Sequence, residues 1–258
     1  MKQYIVDAFT DKLFSGNQAA VCIIDSFPDD DLMKNIAAEN NLSETAFVVK
    51  ENDRYHIRWF TPRSEIDFCG HATLASTFIL FNYYEHDANK LSFHGQIGEF
   101  TVSRSGKLIS MEFPAYKLEH IEITDMMIEA LGSIPLAAYK DRDILFVLRD
   151  EAEVRDLQPD MELISKLDGA CVAVTAKGSD YDCVSRVFAP KYGISEDPVT
   201  GSSHCMIAPY WSRRLSKPSI TAFQASERTG TLCCECVDDT VIVSGNAVLF
   251  SVNEIVGI

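Results

Sequence analysis

Two stretches of this chain carry one pattern, and a fold must accommodate both. Asp67-Phe68-Cys69-Gly70-His71-Ala72-Thr73-Leu74-Ala75-Ser76 and Glu196-Asp197-Pro198-Val199-Thr200-Gly201-Ser202-Ser203-His204-Cys205 each bring a strand-like run to a Gly followed by small and polar residues. An apolar spacing of helical period then begins, with Leu74, Phe78 and Ile79 in the first and Met206, Ile207 and Trp211 in the second. Laying Gly70 on Gly201 sets an offset of 131 residues; Phe93 then falls one residue from Phe223, and Gly98 one from Gly230. Both halves read as strands, a Gly-led helix, Phe, Gly and a strand pair. The expectation is an α+β chain of two similar halves, residues 1–116 and 117–258, with the C-terminal strand free to return to the first half. A cleft between such halves is a common place for a ligand.

The strand and helix signals fill in around the repeat. Strands are predicted over Tyr4–Phe9, Ala46–Val49, Leu91–Ser103, Lys107–Phe113, Ile144–Leu148, Cys171–Thr175, Tyr181–Phe188, Thr231–Val237, Thr240–Ser244 and Ala247–Val252. The alternation of Tyr55, Ile57 and Trp59 adds another. Helices are predicted over Pro28–Asn40, over Thr124–Leu131 with Gly132 closing it, and over Met161–Leu167, besides the two that Gly70 and Gly201 lead.

Composition excludes some functions. The 258 residues carry 23 Lys and Arg against 38 Asp and Glu, a net charge of −15, which disfavours nucleic acid as a partner. No apolar run approaches the ~20 residues that span a membrane. Met1–Asp7 reads as a strand and not as a signal peptide. The eight cysteines lack a short secreted scaffold, so they are expected reduced and the chain cytoplasmic.

The chemistry-bearing residues gather near the repeat. A Gly at a helix mouth lets a ligand approach the backbone, and the free N–H groups there favour an anion; the same pattern also serves ordinary strand-to-helix turns. Glu44 stands where a polar turn enters a strand, and reads either as a general acid–base carboxylate or as a solvated strand end. His71 follows Gly70 at a positive dipole end, which disfavours the imidazolium and predicts a neutral ring. Asp197, before Pro198, could orient a partner or cap its turn, and Ser202 offers a hydroxyl and an N–H. Cys69 invites a two-thiol epimerase, but its counterpart before Gly201 is Thr200, and Cys205 lies about a turn deeper. Cys233-Cys234-Glu235-Cys236 has no second ligand pair at a recognised spacing, so no metal site is expected.

Val6-Asp7-Ala8-Phe9, Phe14-Ser15-Gly16-Asn17, Asn41-Leu42-Ser43-Glu44-Thr45, Trp59-Phe60-Thr61-Pro62, Cys69-Gly70-His71-Ala72-Thr73 and Asp197-Pro198-Val199-Thr200-Gly201-Ser202 occur in the order of one family. At these residues the chain resembles the phenazine-biosynthesis PhzF-like family, of the diaminopimelate-epimerase fold. The resemblance implies two pseudo-symmetric halves, each a curved, mostly antiparallel sheet wrapped around a central helix, with the site between them. It implies an isomerase without cofactor or metal, in which the glutamate at Glu44 takes a proton from one carbon and returns it to another. His71 and Asp197 join it as catalytic positions, and Asn17, Gly70, Gly201 and Ser202 as substrate-binding ones. Gln18 departs from the family's usual Pro. The resemblance also suggests a homodimer, and leaves the substrate open. Three readings follow: an isomerase acting on a small carboxylate through Glu44, a thiol-based racemase or epimerase using Cys69, and a non-catalytic small-molecule binder on the same fold.

Overall fold

The chain's first strand is buried on both faces and pairs with its last, which decides how the molecule divides. The computed structural model describes residues 1–257. One unit comprises Met1–Glu112 and the chain from Ser244 on; the other is Phe113–Val243. The sequence places the boundary a few residues later, after 116. Each unit is described by itself.

The first unit contains β1 (Lys2–Ala8), β2 (Asn17–Ile24), α1 (Asp30–Asn40), β3 (Glu44–Glu51), β4 (Arg54–Phe60), the two-residue β5 (Glu65–Ile66), α2 (Gly70–Tyr83), β6 (Lys90–Gly95), β7 (Gly98–Ser105) and β8 (Leu108–Pro114), which runs into the second unit. The second contains β9 (Glu119–Ile121), α3 (Asp125–Leu131), β10 (Ala137–Lys140), β11 (Ile144–Val147), α4 (Glu151–Asp156), α5 (Met161–Lys166), β12 (Val172–Lys177), β13 (Cys183–Phe188), α6 (His204–Leu215), β14 (Ser219–Gln224) and β15 (Gly230–Val237). β16 (Thr240–Gly245) carries the chain back, and β17 (Ala247–Glu254) ends it against β1.

The pairing repeats. In the first unit β17–β1 and β1–β2 are antiparallel, β2–β3 parallel, β3–β4 antiparallel, β4–β6 parallel and β6–β7 antiparallel. In the second, β9–β10 and β10–β11 are antiparallel, β11–β12 parallel, β12–β13 antiparallel, β13–β14 parallel and β14–β15 antiparallel. The order of senses is the same in both. Phe93 and Phe223 sit in the equivalent strands β6 and β14, as the repeat predicts.

α2 is the central helix of its unit. It is apolar or small on every side, as a helix enclosed by its surroundings must be, and it packs on β1, β2, β3 and β17. Its buried hydroxyls are satisfied within the helix: Thr73, Ser76 and Thr77 donate to the carbonyls of Cys69, Ala72 and Thr73 at 2.6–2.8 Å. α1 is a surface helix capped by Asp29, which accepts from the Leu32 N–H at 2.9 Å, and it buries Met33, Ile36 and Ala37 against Cys22, Phe47 and Phe60. In the second unit α6 packs on β14 and β15, and Trp211 donates its indole N–H to Thr175 at 2.9 Å. Pro209 lies inside α6 and has no N–H to give the Cys205 carbonyl; the Tyr116 N–H takes that acceptor at 2.9 Å.

Two expectations need correction. Leu91–Ser103 is two strands turned at Gln96-Ile97, because Gly98 sits at φ +99°, a conformation open to glycine. Gly201 does not open the second helix. The His204, Cys205 and Met206 N–H groups reach back only three residues, to Gly201, Ser202 and Ser203, so a tight turn precedes α6 and the helix starts at His204. β9, β10, α4 and β14 lack a strong sequence signal and were not expected. No described helix is long and apolar enough to cross a membrane.

Candidate active site

Glu44 and His71 reach each other because β3 begins where α2 begins. Ala19 of β2 registers with Glu44, so the first residue of β3 lies two positions from Asn17, the first of β2. Gly70 opens α2, and its N-cap residue, Cys69, gives no side-chain hydrogen bond to the helix. The first turn of α2 thus lacks a side-chain cap, and its leading N–H groups are the ones a ligand can meet. Gly70 has no positive φ, so it is the missing side chain rather than the backbone conformation that glycine supplies here.

At that mouth His71 Nε2 lies 2.9 Å from Glu44 Oε2, close enough for an ion pair or a proton transfer, although the angles fall outside those of a hydrogen bond and leave the buried Oε2 without a formal one. His71 is nearly enclosed, while Glu44 keeps 15% of its side chain exposed, enough for one carboxylate oxygen to meet a substrate. Behind the ring, Asn17 is fully buried; its Nδ2 lies 3.2 Å from His71 Nδ1, and its Oδ1 accepts from the Ser43 hydroxyl at 3.0 Å. Cys69 Sγ is 3.5 Å from the same Nδ1.

This geometry accommodates two protonation states. With the Asn17 amide donating to Nδ1, the ring carries its proton on Nε2, the nitrogen that lies nearest Glu44. A second proton on Nδ1 is met if the amide turns over, presenting Oδ1 to the ring and Nδ2 to Ser43, whose hydroxyl can accept as well as donate. Burial alone would lower the His71 pKa, but the neighbouring Cys69 and Glu44 reverse it, and the net is a pKa well above the usual histidine range. Burial, with Glu44 adding to it, pushes the Cys69 thiol up. The neutral ring expected from the helix dipole is thus corrected: a dipole end equivalent to about half a charge is outweighed by a full carboxylate in contact.

The second unit holds the other predicted residues. Asp197 Oδ2 accepts from the Thr200 hydroxyl at 2.5 Å, and the side chain of Gln224 ties the loop, donating to the Asp197 carbonyl at 2.7 Å and accepting from the Thr200 N–H at 2.9 Å. The Asp197 carboxylate thus bonds to a hydroxyl of its own turn. Gly201 and Ser202 lie in the tight turn before α6, and Ser203, at the N-cap, donates to the fully buried Asp143 at 2.7 Å. His204 is neutral: burial lowers its pKa to about 4, and its Nδ1–H donates to the Thr200 carbonyl at 2.7 Å. Cys205 packs in the core with its thiol pushed up to about 12 by burial. Structure thus joins Glu44, His71, Asn17, Gly70 and Cys69 in one cluster, and Asp197 with the loop before α6 in another.

Sequence reasoning missed Ser43, Gln224 and Asp143. Ser43 directly precedes Glu44 and was legible as part of the same turn; Gln224 and Asp143 carry no local signal. All eight cysteines are free.

The fold's relatives include a probable proline racemase of Agrobacterium radiobacter, at TM-score 0.65 and 11% identity over 98% of this chain and 92% of that one. At that identity the likeness shows the fold alone, and the fold is the mixed α/β one of racemases and epimerases. The phenazine biosynthesis-like protein family, PhzC-PhzF, matches residues 6–252. An uncharacterized isomerase of Pseudomonas aeruginosa is 44% identical over 245 residues, 95% of each chain. A mouse phenazine biosynthesis-like domain-containing protein is 37% identical over 280 residues, covering 95% of this chain and 96% of its own. The crystal structure of a PhzF family protein from Enterococcus faecalis superposes at TM-score 0.95 with 46% identity, covering 97% of each chain. The chain belongs to the phenazine biosynthesis-like family and, with its relatives named as isomerases, is an isomerase.

Proposed function

We propose that the protein moves a proton on a small carboxylate-bearing metabolite, without cofactor or metal, using Glu44 as the acid–base group. The observation that carries this reading is the Glu44–His71 contact of 2.9 Å at the uncapped mouth of α2. His71 meets the Glu44 carboxylate at Oε2, and Oε1 is the oxygen we assign to the substrate proton. In the first step a C–H bond beside a carbonyl or carboxyl group breaks, the proton passes to Glu44, and the electron pair delocalises onto the substrate oxygen. The free N–H groups at the helix mouth, Gly70 foremost, stabilise that charge. In the second step the carboxylic acid returns the proton to another carbon, so the product is an isomer and nothing is oxidised. His71 holds the carboxylate in place and shares its proton, and Asn17, expected to bind substrate, serves from behind by following the ring's protonation state. Asp197, Gly201 and Ser202 are proposed as further members of the site.

The rival reading, a Cys69 thiol as the base, is favoured by the 3.5 Å approach to His71 and opposed by the raised thiol pKa. Incubation of candidate carboxylates in D2O tests the proposal: one of them should gain deuterium with the wild-type enzyme and fail to do so with Glu44→Gln. Exchange persisting in Glu44→Gln and lost in Cys69→Ser would assign the chemistry to the thiol. A homodimer and a cytoplasmic location are proposed with it on the family resemblance, and sedimentation and cell fractionation test them.

A further inference from the structure

Glu51, His56 and His94 meet on a face of the first unit that the Glu44–His71 chemistry does not use. Glu51 ends β3, His56 lies in β4 and His94 in β6. The register brings them together: His56 pairs across from Val49, two residues before Glu51 and so on its face, and His56 pairs directly with His94 on the parallel neighbour. The two imidazoles lie over each other at a tilt, with ring centroids 4.1 Å apart and planes 31° from parallel. They divide one carboxylate between them: His56 Nδ1 is 3.2 Å from Glu51 Oε1, and His94 Nε2 is 3.0 Å from Oε2. Phe27 packs edge-on against His56 and fixes that ring.

We propose that Glu51, His56 and His94 form a binding site for zinc or a similar divalent transition metal, with water as the remaining ligand. The donor set, two imidazole nitrogens and a carboxylate, is one that zinc accepts, and three protein ligands leave a position for water. One ligand atom from each residue lies within 4.8 Å of the other two. A tetrahedral ion with ligands at about 2.1 Å needs them about 3.4 Å apart; the two imidazole–carboxylate contacts are near that spacing but use different carboxylate oxygens, so binding has to turn the rings out of their present stacking to aim both nitrogens at one point. All three side chains are partly exposed, which gives the ion a path in. The cations flanking His56 on its own strand are already neutralised, Arg54 by Glu99 and Arg58 by Glu65 and Asp30. The metal displaces the protons that the rings now turn to Glu51, and it ties β3, β4 and β6 together.

Metal uptake by the purified, chelator-treated protein tests this, with Co2+ as a visible probe and Zn2+ for X-ray absorption. The expected result is one Co2+ bound in a tetrahedral spectrum, weakened by more than about tenfold, the lower end for losing even a supporting partner, in both His94→Asn and His56→Gln, and unchanged in Cys69→Ser. Zinc-loaded wild-type protein should show imidazole scattering and no sulfur, a readout that needs no variant to fold. No uptake at millimolar metal, uptake unaffected by both histidine substitutions, or a sulfur ligand from the Glu44–Cys69–His71 cluster would overturn the assignment.

Discussion

His71 is held by two opposing influences that differ in size. The helix end contributes a partial charge worth about 0.3–1 kcal/mol against protonation, whereas a full opposite charge in contact is worth about 4 kcal/mol at an effective dielectric of 20. The carboxylate wins, and the His71 pKa rises. Nitrogen-detected titration of the ring should place its pKa above the ordinary value of about 6.5, and Glu44→Gln should lower it; an unshifted ring would mean that the pair is not ionic. The sign for stability follows. A histidine pKa raised on folding adds stability that is fully present below the unfolded pKa and lost as pH rises through the folded one. The stability gap between wild type and His71→Asn, measured by urea unfolding, should therefore narrow as pH rises through the folded pKa of His71. Cys69→Ser should lose far less activity than the about 100-fold or more expected of an acid–base residue, because burial keeps that sulfur protonated.

Among the elements, α2 and α6 show which local signals a sequence carries. The start of α2 was legible because a strand, a glycine and an unbroken run of small and apolar residues meet there. The start of α6 was not, because the turn over Gly201–Ser203 uses three-residue hydrogen bonds that leave no mark on residue spacing. Pro209 would be expected to break α6; the helix survives because Tyr116, nearly a hundred positions earlier, takes up the freed carbonyl. The loop before α6 depends in the same way on Gln224. Gln224→Ala leaves the Thr200 N–H and the Asp197 carbonyl without that partner, and at 1–3 kcal/mol for a buried unsatisfied group the loss should be about 2 kcal/mol or more. Urea denaturation measures it, and a change under half of that would show that water replaces the amide without cost.

For the whole molecule, the repeat read from two glycines corresponds to the identical order of strand senses in the two units. The equivalence is looser than a fixed offset, since α6 begins three residues later than Gly201 while β14 keeps Phe223 in place. Glu44, His71 and Asn17 were legible through a family resemblance carried by short motifs. The Glu51, His56 and His94 cluster was not, because α2 and its connections intervene in sequence between His56 and His94, and only the β4–β6 register unites them. Treatment with a chelator should strip any ion from that cluster and leave isomerase turnover unchanged, since the proposed proton carrier is a carboxylate; loss of turnover restored by zinc would place a metal in the chemistry.

The most direct test of Glu44 as proton carrier is deuterium incorporation, followed by mass spectrometry, with a panel of small carboxylates in D2O and either wild-type protein or Glu44→Gln. Glutamine keeps the shape of the side chain but cannot exchange a proton. The wild type should label at least one compound at a carbon beside its carbonyl or carboxyl group, and Glu44→Gln, folded and still binding that compound, should label it at least about 100-fold more slowly. Labelling by Glu44→Gln at the wild-type rate would contradict the role assigned to Glu44.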